Sequence, residues 1–266
     1  MTITVFTSNQ QRHTALIQAL GAVADHVYAV QECNTVFPGQ VPDFFRKSEV
    51  MRQYFSQVLT AERRVFGPAR FPASRRNVTQ FPIKMGDLNL LPLESLAPAL
   101  RSDVYVVFGA TYIKGWLCEH LVKHRAVNMH MGVSPQYRGS SCNFWAMYDR
   151  LPDLVGATLH LLTAGLDSGP VLRHALPPAD ETDGFTLGML AVRSAQRAMI
   201  DCIGRNNLRD MAPVAQDKTR QLRYTRNADF TDEVAAEYLS RTPALVEIGQ
   251  HLSRRDVSRF VRPFVG

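Results

Sequence analysis

Short apolar runs that alternate with longer stretches of helical period limit this chain to few folds. Ile3 to Phe6, His26 to Gln31, Asp103 to Phe108 and a run ending at Asn128 are each too short for a helix, and turn residues bound them. That combination reads as a buried strand. Between them lie helical segments: Ala15 to Leu20, Asp43 to Val65, Ser95 to Leu100 and Ile113 to Lys123. In the second, Val50, Met51, Tyr54, Phe55 and Val58 fall on one face. Ala157 to Leu162 and Val171 to Leu176 add two strands, and Thr186 to Ile203 a helix with Leu187, Leu190, Ala191, Ala195 and Met199 along one side. Repeated β-then-α order predicts an α/β class: a Rossmann-like, mostly parallel sheet with helices on both faces. Residues 1–204 read as the catalytic domain. Residues 205–266, more polar and basic, read as a C-terminal appendage with helical pieces near Glu233 to Leu239 and Leu245 to Leu252.

A chain of 266 residues can bury a full core without staples. It has no apolar run near the ~18 residues of a membrane helix, and its first residues lack a signal-peptide layout, so a cytoplasmic protein without a membrane partner is expected. Cys33, Cys118, Cys142 and Cys202 are scattered with no Cys-x-x-Cys, which argues against a zinc site or a disulfide framework. His120 and His124 have a metal-ligand spacing, but no third ligand accompanies them, and no metal is expected. A net charge of +6 suits an anionic partner: a nucleotide, a polyglutamated cofactor, RNA or a membrane surface.

Two basic or polar segments could meet such a partner. Thr7 to His13 joins the first strand to its helix, which Ser8 or Asn9 could cap, and free N–H groups at that point suit phosphate or carboxylate. It lacks the glycines of a dinucleotide fingerprint, and a capped helix without ligand fits the pattern equally. From Arg63 to Lys84 there are six basic residues, no acidic one and three prolines. That stretch reads as a loop, either solvated or an anion-facing flap.

The chemistry concentrates elsewhere. Residues two apart on a strand share a face, so Asn128 and His130 project together where the strand meets a turn. Asp167, between Gly165 and Gly169-Pro170, sits in a tight loop that can aim a carboxylate at the imidazole. An amide, an imidazole and a carboxylate suit acyl transfer, in which an oxyanion is stabilised and a proton moved. On pattern alone, a strand end with satisfied polar side chains also accounts for Asn-x-His.

Asn128-x-His130, Pro135-x-Tyr137-Arg138-Gly139, Gly156-Ala-Thr-Leu-His160 and Gly165-Leu166-Asp167-Ser168-Gly169 together resemble, in order and spacing, the folate-dependent formyltransferase family. That family includes glycinamide ribonucleotide transformylase, methionyl-tRNA formyltransferase and the nucleotide-sugar N-formyltransferases. The resemblance covers about residues 100 to 175 well, the first strand and helix loosely, and Thr35 to Lys84 barely. Gly132 stands where the family usually has Ser, and Val133 and Ser134 where it has a Leu pair.

The resemblance implies the formyltransferase fold and transfer of a formyl group from 10-formyltetrahydrofolate to an amine. Asn128 would hold the formyl oxygen. His130 would stabilise the oxyanion or accept a proton, and Asp167 would hold His130 in its tautomer. The pterin slot would lie between Tyr112-Ile113-Lys114 and the loop of Thr163, Gly165 and Leu166. Ser8-Asn9-Gln10-Gln11-Arg12 replaces the family's glycine-rich first loop, which counts against glycinamide ribonucleotide. The stretch after Ile203 is too short for the barrel of the tRNA enzymes. The tail's Arg223-Tyr224-x-Arg226 is similar to that of the sugar enzymes. The expected acceptor is therefore a GDP- or dTDP-linked aminodideoxyhexose such as GDP-perosamine, used for O-antigen and lipopolysaccharide. Ser8, Asn9, Arg12 and Arg138 would face it, and the tail would pair two chains as a homodimer. Rival readings are a methionyl-tRNA formyltransferase-like enzyme, a formyltetrahydrofolate deformylase and a non-enzymatic RNA binder.

Overall fold

The apolar runs form the middle of one eight-stranded sheet in the computed structural model, which describes residues 1–37, 48–71, 75–180 and 182–266. The strands are β1 (Thr2–Ser8), β2 (His26–Cys33), β3 (Val78–Lys84), β4 (Val104–Phe108), β5 (Val127–His130), β7 (Ala157–Leu161), β8 (Val171–Leu176) and β10 (Phe264–Val265). Their spatial order is β10-β8-β7-β5-β4-β1-β2-β3. Only β7 runs against its neighbours. The chain leaves β1 toward β2 and β3, then returns to β4 on the other side of β1. Open α/β sheets bind ligands at the strands' carboxyl ends beside such a reversal. A two-stranded ribbon of β6 (Tyr137–Gly139) and β9 (Arg223–Thr225) stands apart from the sheet.

Helices cover both faces. On one, α1 (Gln11–Val23) and α6 (Gly184–Gly204) bury Leu16, Ile17, Leu20, Ala195 and Met199 against Ile3, Val5 and Val106. On the other, α3 (Leu93–Leu96) and α4 (Gly115–Lys123) pack Leu96, Leu117 and Leu121 on Phe6, Val30 and Tyr105. A third cluster, which reaches the sheet at Leu176, joins α6 to α2 (Glu49–Phe66), α5 (Cys142–Tyr148), α7 (Asp232–Ser240) and α8 (Leu245–Ser253). Side-chain caps set three α-helix starts among the described residues: Ser48 accepts from the Met51 N–H, Asp183 from the Thr186 N–H and Thr231 from the Val234 N–H.

Several expectations change. The span from Arg63 to Lys84 is not largely loop: Arg63 and Arg64 end α2, and Val78–Lys84 is a strand. It pairs in parallel with β2 at the sheet's edge, where Pro82 is tolerated. Of the helix expected over Asp43 to Val65, residues 43–47 lie outside the described residues. Neither Ser8 nor Asn9 caps α1. Gln10 holds that position without a side-chain capping bond to the helix, and Asn9 Nδ2 donates instead to the carbonyls of Thr35 and Val36. The anion seat at this helix start is filled from within, because the Arg12 N–H and guanidinium both donate to Glu62, at 2.9 Å each.

Residues 205–266 supply β9, α7, α8 and β10, and β10 pairs with β8. Tyr238, Ile248, Leu252 and Phe260 are buried in the third cluster, whereas Leu245, Val246 and Val257 are exposed. Among the described residues, no helix is long and apolar enough to cross a membrane.

Candidate active site

Strand register places the two polar side chains of β5. Met129 faces the core, so Asn128 and His130 on either side of it share the opposite face. Antiparallel pairing sets Asn128 opposite His160 of β7 and His130 opposite Thr158. Such cross-strand partners touch. Asn128 Nδ2 lies 3.1 Å from His160 Nε2, while His160 Nδ1 lies 2.8 Å from the Leu161 carbonyl. Nδ1 therefore carries the His160 proton, and Nε2 accepts from Asn128. Thr158 secures the turn after His130: its hydroxyl donates to the Gly132 carbonyl and accepts from the Ser134 N–H.

The Asp167 loop folds onto this pair. Asp167 Oδ1 lies 3.3 Å from His130 Nδ1 and accepts from Asn128 Nδ2 at 3.2 Å, and Oδ2 accepts from the Gly139 N–H at 3.2 Å. Asp167 adopts a left-handed φ of 45°. The conformation is held from outside: Arg138 donates to the Leu166 and Asp167 carbonyls, and Gln216 to those of Asp167 and Gly169. Gly169 permits the close approach to β7, since a Cβ there would sit 1.7 Å from the Leu161 carbonyl oxygen.

Both ring nitrogens of His130 face acceptors, Asp167 on one side and the Tyr137 carbonyl at 3.2 Å on the other. Burial opposes a charge on the ring, but the Asp167 carboxylate and then the Cys142 thiol outweigh it, and the His130 pKa is raised well above its ordinary value. Burial likewise works against an ionised Asp167. The His130 charge and the hydrogen bond from His130 overcome it and hold the carboxyl far below the usual range. The pair is a buried imidazolium and carboxylate, suited to stabilising an oxyanion and to moving a proton.

His130 stands in the wall between two cavities. The first, about 750 Å³, is bounded by the loop after β4, the end of β5 and the Asp167 loop. Tyr112, Ile113, Thr163, Gly165 and Leu166 line it with Asn128, His130 and Asp167, and the Tyr112 hydroxyl bonds across it to the Ala164 carbonyl. Lys114 does not line it. That residue caps α4, and its N–H donates to Asn89. Glu32, buried at the end of β2, pins the cavity's far wall by accepting from Gly86 and from the N–H and hydroxyl of Thr111. The second cavity, about 330 Å³, is walled by α2, α5, α6 and the tail, with Tyr54, Phe144, Phe185, Phe230 and Tyr238 around it. Arg12 reaches it, paired with Glu62. Ser8 and Asn9 line neither cavity, and Arg138 is engaged by the Asp167 loop and Gln221.

Of the basic span, Arg64 bonds Asp183 and Thr186, and Arg75 bonds Gln18. Sequence reasoning quoted His160 only as part of a motif and missed Glu32 and Gln216. Antiparallel register is the signal that assigns His160, and no pattern marked the other two. Among the described residues, no group of three or more His, Cys, Asp or Glu could hold a metal.

No family model matches the chain. Among curated proteins it is 27% identical over 123 residues to methionyl-tRNA formyltransferase of Synechococcus sp. (strain JA-3-3Ab), covering 46% of this chain and 38% of that one. With formyltetrahydrofolate deformylase of Bacillus subtilis (strain 168) it shares 27% over 119 residues, 44% of this chain and 39% of the other. The chain thus spans less than half the length of these relatives. Solved structures match over more of it. A 4-N formyltransferase from Francisella tularensis has a TM-score of 0.54 at 14% identity, over 86% of this chain and 77% of that one. The formyltransferase PseJ from Anoxybacillus kamchatkensis, in complex with UDP-4,6-dideoxy-4-formamido-L-AltNAc and tetrahydrofolate, has a TM-score of 0.52 at 15% identity, over 95% and 97%. The chain has the fold of the folate-dependent formyltransferases.

Proposed function

We propose that this protein is an N-formyltransferase that moves a formyl group from 10-formyltetrahydrofolate to the amine of a nucleotide-linked aminodideoxyhexose. The observation that carries this reading is the position of His130, charged by Asp167 and set in the wall between two cavities. The larger cavity falls within the ~300–1,000 Å³ of small-ligand sites. Its composition suits a flat heteroaromatic ring, with apolar Val107, Ile113, Leu162 and Leu166 for the faces and loop backbone for the edges. When bound there, the folate supplies an activated formyl carbon. His130 stabilises the negative charge that develops on the formyl oxygen, Asn128 offers an amide donor from the same strand face, and Asp167 keeps the imidazole charged and oriented. Having given its own proton to the departing donor nitrogen, His130 would then take up the one released by the amine.

The smaller cavity is the place for the amine, since it meets His130 from the other side. Aromatic walls suit the C–H face and methyl group of a deoxyhexose, and Arg12 is the cation within reach of its phosphates. A GDP- or dTDP-linked 4-amino-4,6-dideoxyhexose, GDP-perosamine among them, is the acceptor we favour, and its product would serve O-antigen and lipopolysaccharide synthesis. Two copies pair through the exposed Leu245, Val246 and Val257 of the tail.

The test is formamide formation by the purified protein with 10-formyltetrahydrofolate and a panel of aminosugar nucleotides. Formylation of charged tRNA alone, or donor hydrolysis indifferent to every amine, would replace this reading with the tRNA-directed or deformylase one. Steeply salt-dependent RNA binding without folate affinity would remove the enzyme reading altogether. A monomeric mass in solution would remove the pairing.

A further inference from the structure

The tail reaches the reaction centre through a segment that no motif marked. Residues 214–223 form a strap across the Asp167 loop, anchored at both ends. At one end Val214 bridges Val171, the first residue of β8, with N–H to carbonyl bonds in both directions at 2.7 and 2.8 Å. At the other, the Leu222 and Arg223 N–H groups donate to the Gln136 carbonyl at 2.9 and 3.0 Å, and β9 goes on to pair with β6. The Arg223 guanidinium adds two bonds to Asp149, at 2.7 and 2.6 Å.

Between these anchors, Gln216 Nε2 donates to the Asp167 carbonyl at 2.9 Å and to the Gly169 carbonyl at 2.7 Å. A primary amide has two N–H donors, so one side chain serves both acceptors. Gln216 Oε1 is buried without a partner among the described residues. Turning the amide over would set that oxygen against two carbonyl oxygens, so the loop alone fixes its orientation. An unpaired buried acceptor is unfavourable, and the two bonds to the loop are what the side chain gains in return.

Those two bonds bracket Ser168 and fix the peptide that follows Asp167. The Asp167 carbonyl also accepts from Arg138 Nε at 3.2 Å, which fills both of its lone pairs. The peptide plane cannot turn without breaking two bonds. Asp167 is thereby kept at its φ of 45°, a conformation that a residue with a side chain holds only where its surroundings over-determine it. In that conformation Oδ1 meets His130 Nδ1 at 3.3 Å and Oδ2 meets the Gly139 N–H at 3.2 Å. Arg138 is itself steadied by the strap, since it donates to Gln221 at 3.2 Å.

We propose that Gln216 is a positioning residue for the reaction, a clamp supplied by the tail that holds the Asp167 loop in the one conformation aiming its carboxylate at His130. The inference rests on the function proposed above and makes the tail part of the machinery for transfer. Three titratable groups face His130: Asp167 from this loop, His160 from β7 with ring centroids 6.3 Å apart, and Cys142 from α5. Of these, Asp167 is the one that Gln216 touches, so a released clamp is read through that carboxylate, whose pull on the imidazolium weakens with distance.

Gln216→Met, which keeps the length of the side chain without its donors, tests this in the full chain. Ring-proton NMR of the free protein should show the His130 pKa lowered from its wild-type value, and the limb of kcat that depends on imidazolium should move to lower pH with it. Turnover should fall about tenfold while the KM values of donor and amine stay within about twofold. In an Asp167→Asn background the same substitution should cost less than about twofold, because the group it positions is already gone. Gln216→Ala repeats the measurements should the methionine variant fail to fold. An unchanged His130 pKa beside normal formyl transfer overturns the clamp and leaves the proposed function standing. A tenfold loss that recurs in full in the Asp167→Asn background also overturns it, since Gln216 would then act elsewhere. A lowered pKa in a protein that transfers formyl to no amine supports the clamp and removes the function.

Discussion

The larger cavity is cut into the sheet by the ends of β4 and β5 and the loops beside them, whereas the smaller is walled mainly by α2, α5, α6 and the Phe230 and Tyr238 side chains of the tail, with His130 reaching it from the main sheet. Polar side chains in the first are aimed by register: Asn128 meets His160 because β5 and β7 pair as they do, and a one-residue slip would turn both away. In the second, rings are placed by one another. Tyr54 packs within 5.0 Å of Phe55, 5.2 Å of Phe185 and 4.9 Å of Phe230. On the proposed function, the difference separates what would fix the reaction from what would choose the acceptor.

Substitution can break that division. Asn128→Ala and His130→Ala should each cost about 3 kcal/mol or more in transition-state stabilisation while leaving folate binding, measured by titration, near its wild-type value. Asp167→Asn comes next, at about 2 kcal/mol in kcat. Without the carboxylate, burial presses the His130 pKa down, so the limb of the rate profile that depends on imidazolium should move to lower pH, and ring-proton NMR should show the same shift. In the wild type the raised His130 pKa contributes stability in full below the unfolded value of about 6.5, lost as pH rises through the folded value.

His174 connects the two halves. Its Nε2 donates to the Ser134 carbonyl in the turn after β5, and its Nδ1 accepts from the Val261 N–H in the tail. Burial lowers its pKa to about 4. The unfolded chain then binds the extra proton between about 6.5 and about 4, and stability should fall on the order of 3 kcal/mol as pH drops through that window. Denaturant unfolding of His174→Gln should show a flatter acid limb. The smallest effect belongs to the amine side: Phe230→Ala should raise the acceptor KM about tenfold, near 1.4 kcal/mol, and spare the donor KM. An equal rise in both would blur the division.

The same division explains how much could be read beforehand. Two-residue periodicity put Asn128 and His130 on one face, and glycines around Asp167 marked its loop, so the trio that folding brings together was legible in local sequence. The role of His160 needed the antiparallel pairing, which periodicity does not encode. Strand β3 was hidden by Pro82 and its basic surroundings, which an edge strand accepts and a central one does not. The aromatic cavity was illegible because Tyr54, Phe144, Phe185 and Phe230 come from separate segments, and each on its own reads as core. Arg12 and Arg138 read as free cations, but folding gives one to Glu62 and the other to the Asp167 loop.

The sheet ends on one side in β3, whose Pro82 has no N–H to offer, and on the other in β10, which is two residues long. Neither border gives a second chain a long ladder of unpaired backbone groups to extend. The pairing proposed above, through Leu245, Val246 and Val257, uses neither border. Amide hydrogens of β3 should then exchange at the same rate in dilute and concentrated solution, whatever the state of assembly.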